Sequence, residues 1–234
     1  AGADIVDVGG ESTRPGSDAV DEAEEIARVL PVIAAIRRAL DVPISIDTSK
    51  AAVAEAAIDA GADLVNDVWA MGADPRMVHV VARAGVPVVL MHNRLAAAAT
   101  GGPVGGHYAD VRYDDVVADV RKALLGLADA ACGAGIGPER IILDPGLGFG
   151  KTPAQNLELL DRVGELRSLG WPILVGPSRK SFVGAALALP PDDRLEGTAA
   201  AVAIAIARGA DIVRVHDVRA MARVARMADA IVRR

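Results

Sequence analysis

Ile141–Thr152 reads IILDPGLGFGKT. An apolar run hands over to one carboxylate, Asp144, and then to a loop containing Gly146, Gly148 and Gly150. The same grammar recurs along the chain. Strand-like runs occupy Ile5–Val8, Val42–Ile46, Leu64–Val68, Val86–Met91, Ile141–Leu143, Ile173–Val175 and Ile212–Val215. They are continuously apolar, which predicts parallel strands covered on both faces. Longer segments of helical periodicity separate them, so the class is α/β. Most runs end on charged or polar side chains: Asp47, Asn66 with Asp67, His92, Asp144, Ser178 with Lys180, and Arg214 with His216. An open doubly wound sheet gathers its site at one switch point. A barrel instead brings every C-terminal strand end to one face and builds chemistry from several of them. The spread of polar strand ends therefore predicts a TIM-type (β/α)8 barrel, of which seven strands are visible.

The opposite ends of the strands carry their own signature. Gly-Ala-Asp-(Ile/Leu)-Val occurs at Gly2–Val6, Gly61–Val65 and Gly209–Val213. Each Gly sits where a left-handed helix C-cap belongs, marking αβ turns. Asp21 with Glu24 gives a D-x-x-E helix start, followed by Ile26, Val29, Leu30, Ile33 and Ile36 at helical spacing. Pro31 inside that pattern predicts a kink or a division. The last helix sets Met221, Val224, Ala228 and Ile231 on one face and Arg219, Arg223 and Arg226 largely on the other. Leu95–Gly106, rich in Ala and Gly, reads as a flexible loop. No linker or compositional break divides the chain, so one domain over residues 1–234 is expected.

The 234 residues carry 25 basic and 31 acidic side chains, for a net charge of −6, and are 52% hydrophobic but only 3% aromatic. That balance excludes disorder and argues against a protein that stacks nucleic-acid bases. No apolar run approaches the roughly 20 residues needed to cross a bilayer, and no leader-like segment opens the chain, so a soluble, cytoplasmic protein is expected. A single cysteine, Cys132, suits a reducing compartment and reads as a small buried hydrophobe. His79, His92, His107 and His216 show no metal-ligand spacing, and there is no G-x-S-x-G elbow. The glycine loop fails as a Walker A motif because Pro145 stands where the first Gly belongs. It fails as a dinucleotide fingerprint because Lys151 replaces the third Gly.

Gly9–Gly16, GGESTRPG, follows the first strand and offers Arg14 beside Thr13 and Pro15. A capped turn and an anion contact are both open readings of it. Val175–Val183, VGPSRKSFV, concentrates donors at Ser178, Arg179, Lys180 and Ser181. Arg214 and His216 alternate around Val215 and share one side of a strand end. Asp47, Asn66 and Asp144 thus supply carboxylate and amide groups suited to the N–H donors of a flat heterocycle. Lys180, Arg214, His216 and Arg14 suit a phosphate or diphosphate. The division suggests a group transfer in which a phosphorylated leaving group departs from a heterocyclic substrate.

DVGGESTRPG (Asp7–Gly16), SIDTSK (Ser45–Lys50), NDV (Asn66–Val68), LMH (Leu90–His92), DPGLGFGKT (Asp144–Thr152), GPSRKSF (Gly176–Phe182) and RVHDV (Arg214–Val218) occur in an order and spacing that resembles the dihydropteroate synthase family. The resemblance implies a pterin-binding (β/α)8 barrel of folate biosynthesis, a target of sulfonamides. It implies a transferase that condenses 6-hydroxymethyl-7,8-dihydropterin pyrophosphate with p-aminobenzoate, giving 7,8-dihydropteroate and pyrophosphate, with Mg²⁺ as cofactor. It places Asp47, Asn66, Asp144 and Lys180 on the pterin ring, with Met91 and Phe149 lining its faces. It gives Arg14, Arg214 and His216 to the pyrophosphate, and Thr13, Pro15, Lys180 and Ser181 to p-aminobenzoate. Lys180, Arg214 and His216 carry the catalytic role, and a homodimer is implied.

The family's first strand and loop, with a motif of the N-V-T-P-D-S-F-S-D type that supplies an Asn to Mg²⁺, have no counterpart in the chain. The expected barrel therefore lacks its first βα unit. Asn93-Arg94 also departs from the family's usual Met-(Arg/Gln)-Gly after the histidine. Two alternatives stand beside the synthase: a pterin-binding methyltransferase serving a corrinoid, which has no need of Lys180, Arg214 and His216, and a truncated, non-catalytic pterin binder.

Overall fold

A computed structural model describes residues 1–12, 18–94 and 112–233. The strands are β1 (Val6–Gly9), β2 (Ile44–Asp47), β3 (Leu64–Asp67), β4 (Val88–Met91), β5 (Ile141–Asp144), β6 (Leu174–Val175) and β7 (Ile212–Val213). Between and after them run α1 (Glu22–Ala39), α2 (Ala51–Asp59), α3 (Met77–Ala84), α4 (Val116–Gly133), α5 (Pro153–Asp161), α6 (Ser181–Leu187), α7 (Leu195–Ala207) and α8 (Val218–Val232). All seven expected strands form, against eight in a complete barrel of the predicted class.

The described chain packs as two units. One comprises Asp4–Gly106 and Gly126–Ile142. Its sheet runs in the order β1-β2-β3-β4-β5, and β1 to β4 pair in parallel. Every residue of β3 and β4 is buried, and Ile44, Ser45 and Ile46 of β2 are too, as parallel strands covered on both faces require. The other unit comprises Ala1–Ala3, His107–Leu125 and Leu143–Arg234. There β6 pairs with β7 in parallel, and Leu143 at the end of β5 bridges to Ile173.

The repeated Gly-Ala-Asp phrase has a local explanation at two of its three occurrences. Gly61 and Gly209 adopt φ of 109° and 101°, inside the left-handed region. The N–H of Gly61 donates to Ile58 O and that of Ala62 to Ala57 O, while Gly209 and Ala210 repeat the pattern on Ile206 and Ala205. Each is the paired closure that ends a helix on a C′ glycine. The Asp then serves the neighbouring strand. Asp63 Oδ2 accepts the Ile44 N–H at 2.7 Å, and Asp211 Oδ2 accepts the Ile173 N–H at 2.9 Å.

Asp21 caps α1 through the Glu24 N–H at 2.8 Å, as its sequence predicts. Pro31 does not divide that helix, which continues to Ala39. Proline removes the donor that would have met the Ala27 carbonyl, and Ala27 lies on the exposed side of the helix, where that carbonyl is not sealed from solvent. In α8, Met221 and Ala228 pack with Val202 and Ile206 of α7, joined by Val224, and the arginine face is exposed. Ile231 departs from the expected apolar face by standing exposed. Cys132 is half-buried and unbridged. The Leu95–Gly106 segment lies outside the described residues.

Candidate active site

Asp144 ends β5 and is buried. Its Oδ1 accepts the Gly146 N–H at 2.7 Å. Burial raises its pKa, and the Gly146 N–H with the charges of Lys180, Lys151 and Arg214 works against that rise. The glycine loop behind it is stitched from within. Lys151, also buried, donates from Nζ to Gly146 O and Phe149 O, both at 2.9 Å. Asn156 accepts the Gly148 N–H at 2.7 Å and donates to Lys151 O and Thr152 O at 3.1 and 2.9 Å. Thr152 and Gln155 complete a capping box that starts α5. The phosphate-loop look of GKT is thus coincidental: the lysine braces its own loop.

Gly148 has φ of 82°, and a Cβ there would lie 2.9 Å from Lys180 Cδ. Its bareness gives the Lys180 side chain room to pass. Lys180 Nζ then stands 4.1 Å from the centre of the Phe149 ring, a cation–π distance. Lys180, half-buried, is the N-cap of α6, and Ser181 in the first turn is exposed. Arg214 and His216 are both exposed just beyond β7, in the alternation the sequence indicates.

Ser178, buried, accepts the His216 backbone N–H at 3.1 Å and lies 3.0 Å from His216 Nδ1. Ser178 thus orients the His216 ring through Nδ1. Arg179 grips Asp217 bidentately, at 2.9 and 2.7 Å. That hydrogen-bonded pairing holds the Asp217 carboxyl below its ordinary range.

The other unit carries the remaining predicted strand-end residues. Gly9, Asp47 and Asn66 lie level across β1, β2 and β3. A Cβ on Gly9 would crowd Asp47 O at 3.2 Å and Asp47 Cβ at 3.3 Å, so the bare glycine lets the carboxylate sit there. Asn66, Met91 and His92 are buried, and the Asn66 carbonyl accepts the Thr48 N–H at 3.1 Å. Asn93, at the departure from the family pattern, donates from Nδ2 to Val68 O at 3.3 Å. Thr13, Arg14 and Pro15 lie outside the described residues.

Two features of this unit escaped sequence reading. Asp67 is buried and accepts the N–H groups of Trp69 and Met71 at 2.9 and 2.8 Å. Burial pushes its pKa up to about 6. It holds a loop in which Ala70 and Met71 have φ of 50° and 66°. Lys50 joins Glu11 at 2.6 Å and the buried Glu25 at 2.5 Å. Burial opposes the Lys50 charge, but the bonds to Glu11 and Glu25 outweigh it and raise its pKa. Both residues stand inside quoted motifs or beside a cap, but no spacing rule links positions 11, 25 and 50.

A family profile described as "Pterin binding enzyme" matches residues 1–216. Dihydropteroate synthase of Clostridium beijerinckii is 50% identical over 234 residues, covering all of this chain and 82% of that protein. That of Bacillus subtilis is 46% identical over 230 residues, covering 98% and 76%. The chain belongs to the dihydropteroate synthase family. Among solved structures, the Clostridium difficile dihydropteroate synthase crystallised with pteroic acid matches at a TM-score of 0.90 and 46% identity, covering 100% of this chain and 84% of that one. The Yersinia pestis enzyme in a sulfonamide drug complex matches at 0.91 and 41%, covering 98% and 81%.

Membership of the dihydropteroate synthase family makes the function that of a transferase of folate synthesis and the fold class that of the α/β, TIM-type barrels. It favours the synthase over the corrinoid methyltransferase alternative. No helix among the described residues is long and apolar enough to cross a membrane. Among those residues no group of three or more His, Cys, Asp or Glu converges on a metal position. The described residues of this dihydropteroate synthase family member do not form a Mg²⁺ cage.

Proposed function

We propose that Asp144 holds the N–H edge of the dihydropterin ring while Lys180 reaches the ring's carbonyl and nitrogen beside Phe149. The observation that carries this reading is the buried Asp144 carboxylate lying in the field of Lys180, Lys151 and Arg214, with the Lys180 ammonium on the Phe149 ring. An ionised carboxylate in that position stays uncomfortable until donors meet it, and a flat amidine-like edge supplies them. Asp47 and Asn66 are assigned to the same ring's polar atoms and Met91 to its face. Ser181 and Lys180 are assigned to p-aminobenzoate, together with Thr13 and Pro15 of the undescribed segment.

Arg214 and His216 hold the diphosphate, joined by Arg14. Ser178 holds the His216 backbone and orients its ring from Nδ1. The C–O bond between the pterin methylene and the diphosphate breaks, and the electron pair leaves on oxygen. Cations fixed in place before that charge develops stabilise it, an effect of several kcal/mol in preorganised sites. The arylamine nitrogen then forms the C–N bond and loses its proton to water. No side-chain nucleophile is required. When bound, Mg²⁺ would add positive charge to that which Arg214 and Arg14 offer the departing diphosphate.

The proposal extends to one pterin-binding domain over residues 1–234, a cytoplasmic location and a homodimer. Calorimetry with the pterin pyrophosphate tests the assignments. Asp144→Asn should weaken binding by roughly 10- to 100-fold, the worth of a charge-assisted hydrogen bond. Arg214→Ala should weaken the pyrophosphate ester while leaving the binding of 6-hydroxymethylpterin, which lacks the diphosphate, within twofold. Wild-type affinity in both variants would overturn the assignment.

A further inference from the structure

The turn that delivers Lys180 is held in a conformation it would not adopt unaided. Arg179 has φ of 57°, in the left-handed region that a long side chain disfavours. Three side chains hold it there. Its N–H donates to the buried Thr198 Oγ1 at 3.1 Å, and its guanidinium is locked on Asp217. Arg194, the residue before α7, donates from Nη1 to Arg179 O at 2.9 Å and to Lys180 O at 3.2 Å. The same guanidinium is anchored by Leu189 O, which accepts from Nε and Nη2 at 3.1 and 3.0 Å.

A second observation shows that the fold makes room for this guanidinium. A Cβ on Gly184, within α6, would fall on top of it. Helix interiors disfavour glycine, so the bare position has a packing reason: it is the floor on which Arg194 lies. We propose that Arg194 is a positioning residue for Lys180. It touches neither the Phe149 ring nor Asp144 in any described contact. It fixes the backbone from which the Lys180 side chain leaves, so that the ammonium passes Gly148 and reaches Phe149. The proposal rests on the reading of Lys180 as a pterin contact, and its test separates the two.

Steady-state kinetics with the pterin pyrophosphate are compared for wild type, Arg194→Met, Lys180→Met, the double variant and Gly184→Ala, with thermal melts of each. Arg194→Met is expected to lower kcat/KM at least tenfold, and to change it less than twofold when Lys180 is already Met. Gly184→Ala covers the case in which Arg194→Met fails to fold. Alanine's helix preference offsets part of the cost of displacing the guanidinium, so this variant should still fold, and it should also lower kcat/KM. Multiplying defects in the double variant would show that Arg194 acts elsewhere and would overturn the proposal alone. Normal kinetics in Gly184→Ala, or in Arg194→Met with only a lower melting temperature, would overturn it too. Unchanged kinetics in Lys180→Met would overturn both the proposal and the reading beneath it.

Discussion

Asn156→Leu is the sharpest probe of how the glycine loop is built. The side chain is buried, and leucine keeps its branched outline with bulkier ends, so the change removes polar partners without leaving a cavity. Three hydrogen bonds disappear. Thr152 O keeps the helical N–H of Asn156 at 3.0 Å and loses little. The Gly148 N–H and Lys151 O lose their Asn156 partner. A buried group left without a partner costs about 1–3 kcal/mol, so two give roughly 2–6, and about 3 kcal/mol after the gain from burying leucine. Against a total stability of about 5–15 kcal/mol that is a large fraction.

Urea unfolding followed by circular dichroism measures it. With a slope of roughly 2–3 kcal/mol per M, the midpoint should fall by about 1–1.5 M. Pterin binding should fall as well, because Phe149 and the passage for Lys180 belong to the same loop. A midpoint within about 0.2 M of wild type would show that the loop relaxes to satisfy itself, and the stitching argument would be wrong.

Asp67 gives a pH prediction. Its pKa stands near 6 when folded against 3.8 as the ordinary value. The folded state therefore takes up a proton first, and stability falls as pH rises from about 4 through 6. The shift corresponds to about 3 kcal/mol at order of magnitude. Asp67→Asn should abolish that component, so the wild-type-minus-variant difference in unfolding free energy should slope across this window; a flat difference would refute it. For Lys50, replacement by Met leaves Glu25 buried beside Glu11 and should cost about 3–5 kcal/mol, with Glu25→Gln in the same chain recovering much of it. Thermal melts of the single and double variants check this, and additive losses would argue against a shared ion pair.

The strands and the αβ turns were legible because their causes are local. Continuous apolar runs such as Val88–Met91 are buried throughout, and Gly61 and Gly209 announce the left-handed closures they form. Asp144, Lys180 and Phe149 were legible as candidates because strand-end chemistry and family motifs both mark them. What the motifs could not convey was which lysine does what. Lys151 and Lys180 are equally prominent in sequence, but one turns inward onto carbonyls and the other reaches the ring. Contacts across long separations were illegible for the same reason. The Arg179–Asp217 pair and the Lys50 cluster each join segments brought together only by folding. Of the kink or division expected at Pro31, the division does not occur, and Pro31 stands on an exposed part of the helix.

The most direct test is to follow product formation by the chain of 234 residues given both substrates. Pyrophosphate release and 7,8-dihydropteroate should appear in equal amounts, only when the pterin pyrophosphate and p-aminobenzoate are both present, and a sulfonamide should suppress the dihydropteroate. Binding of the pterin pyrophosphate without any dihydropteroate would contradict the account and leave a non-catalytic pterin binder in its place.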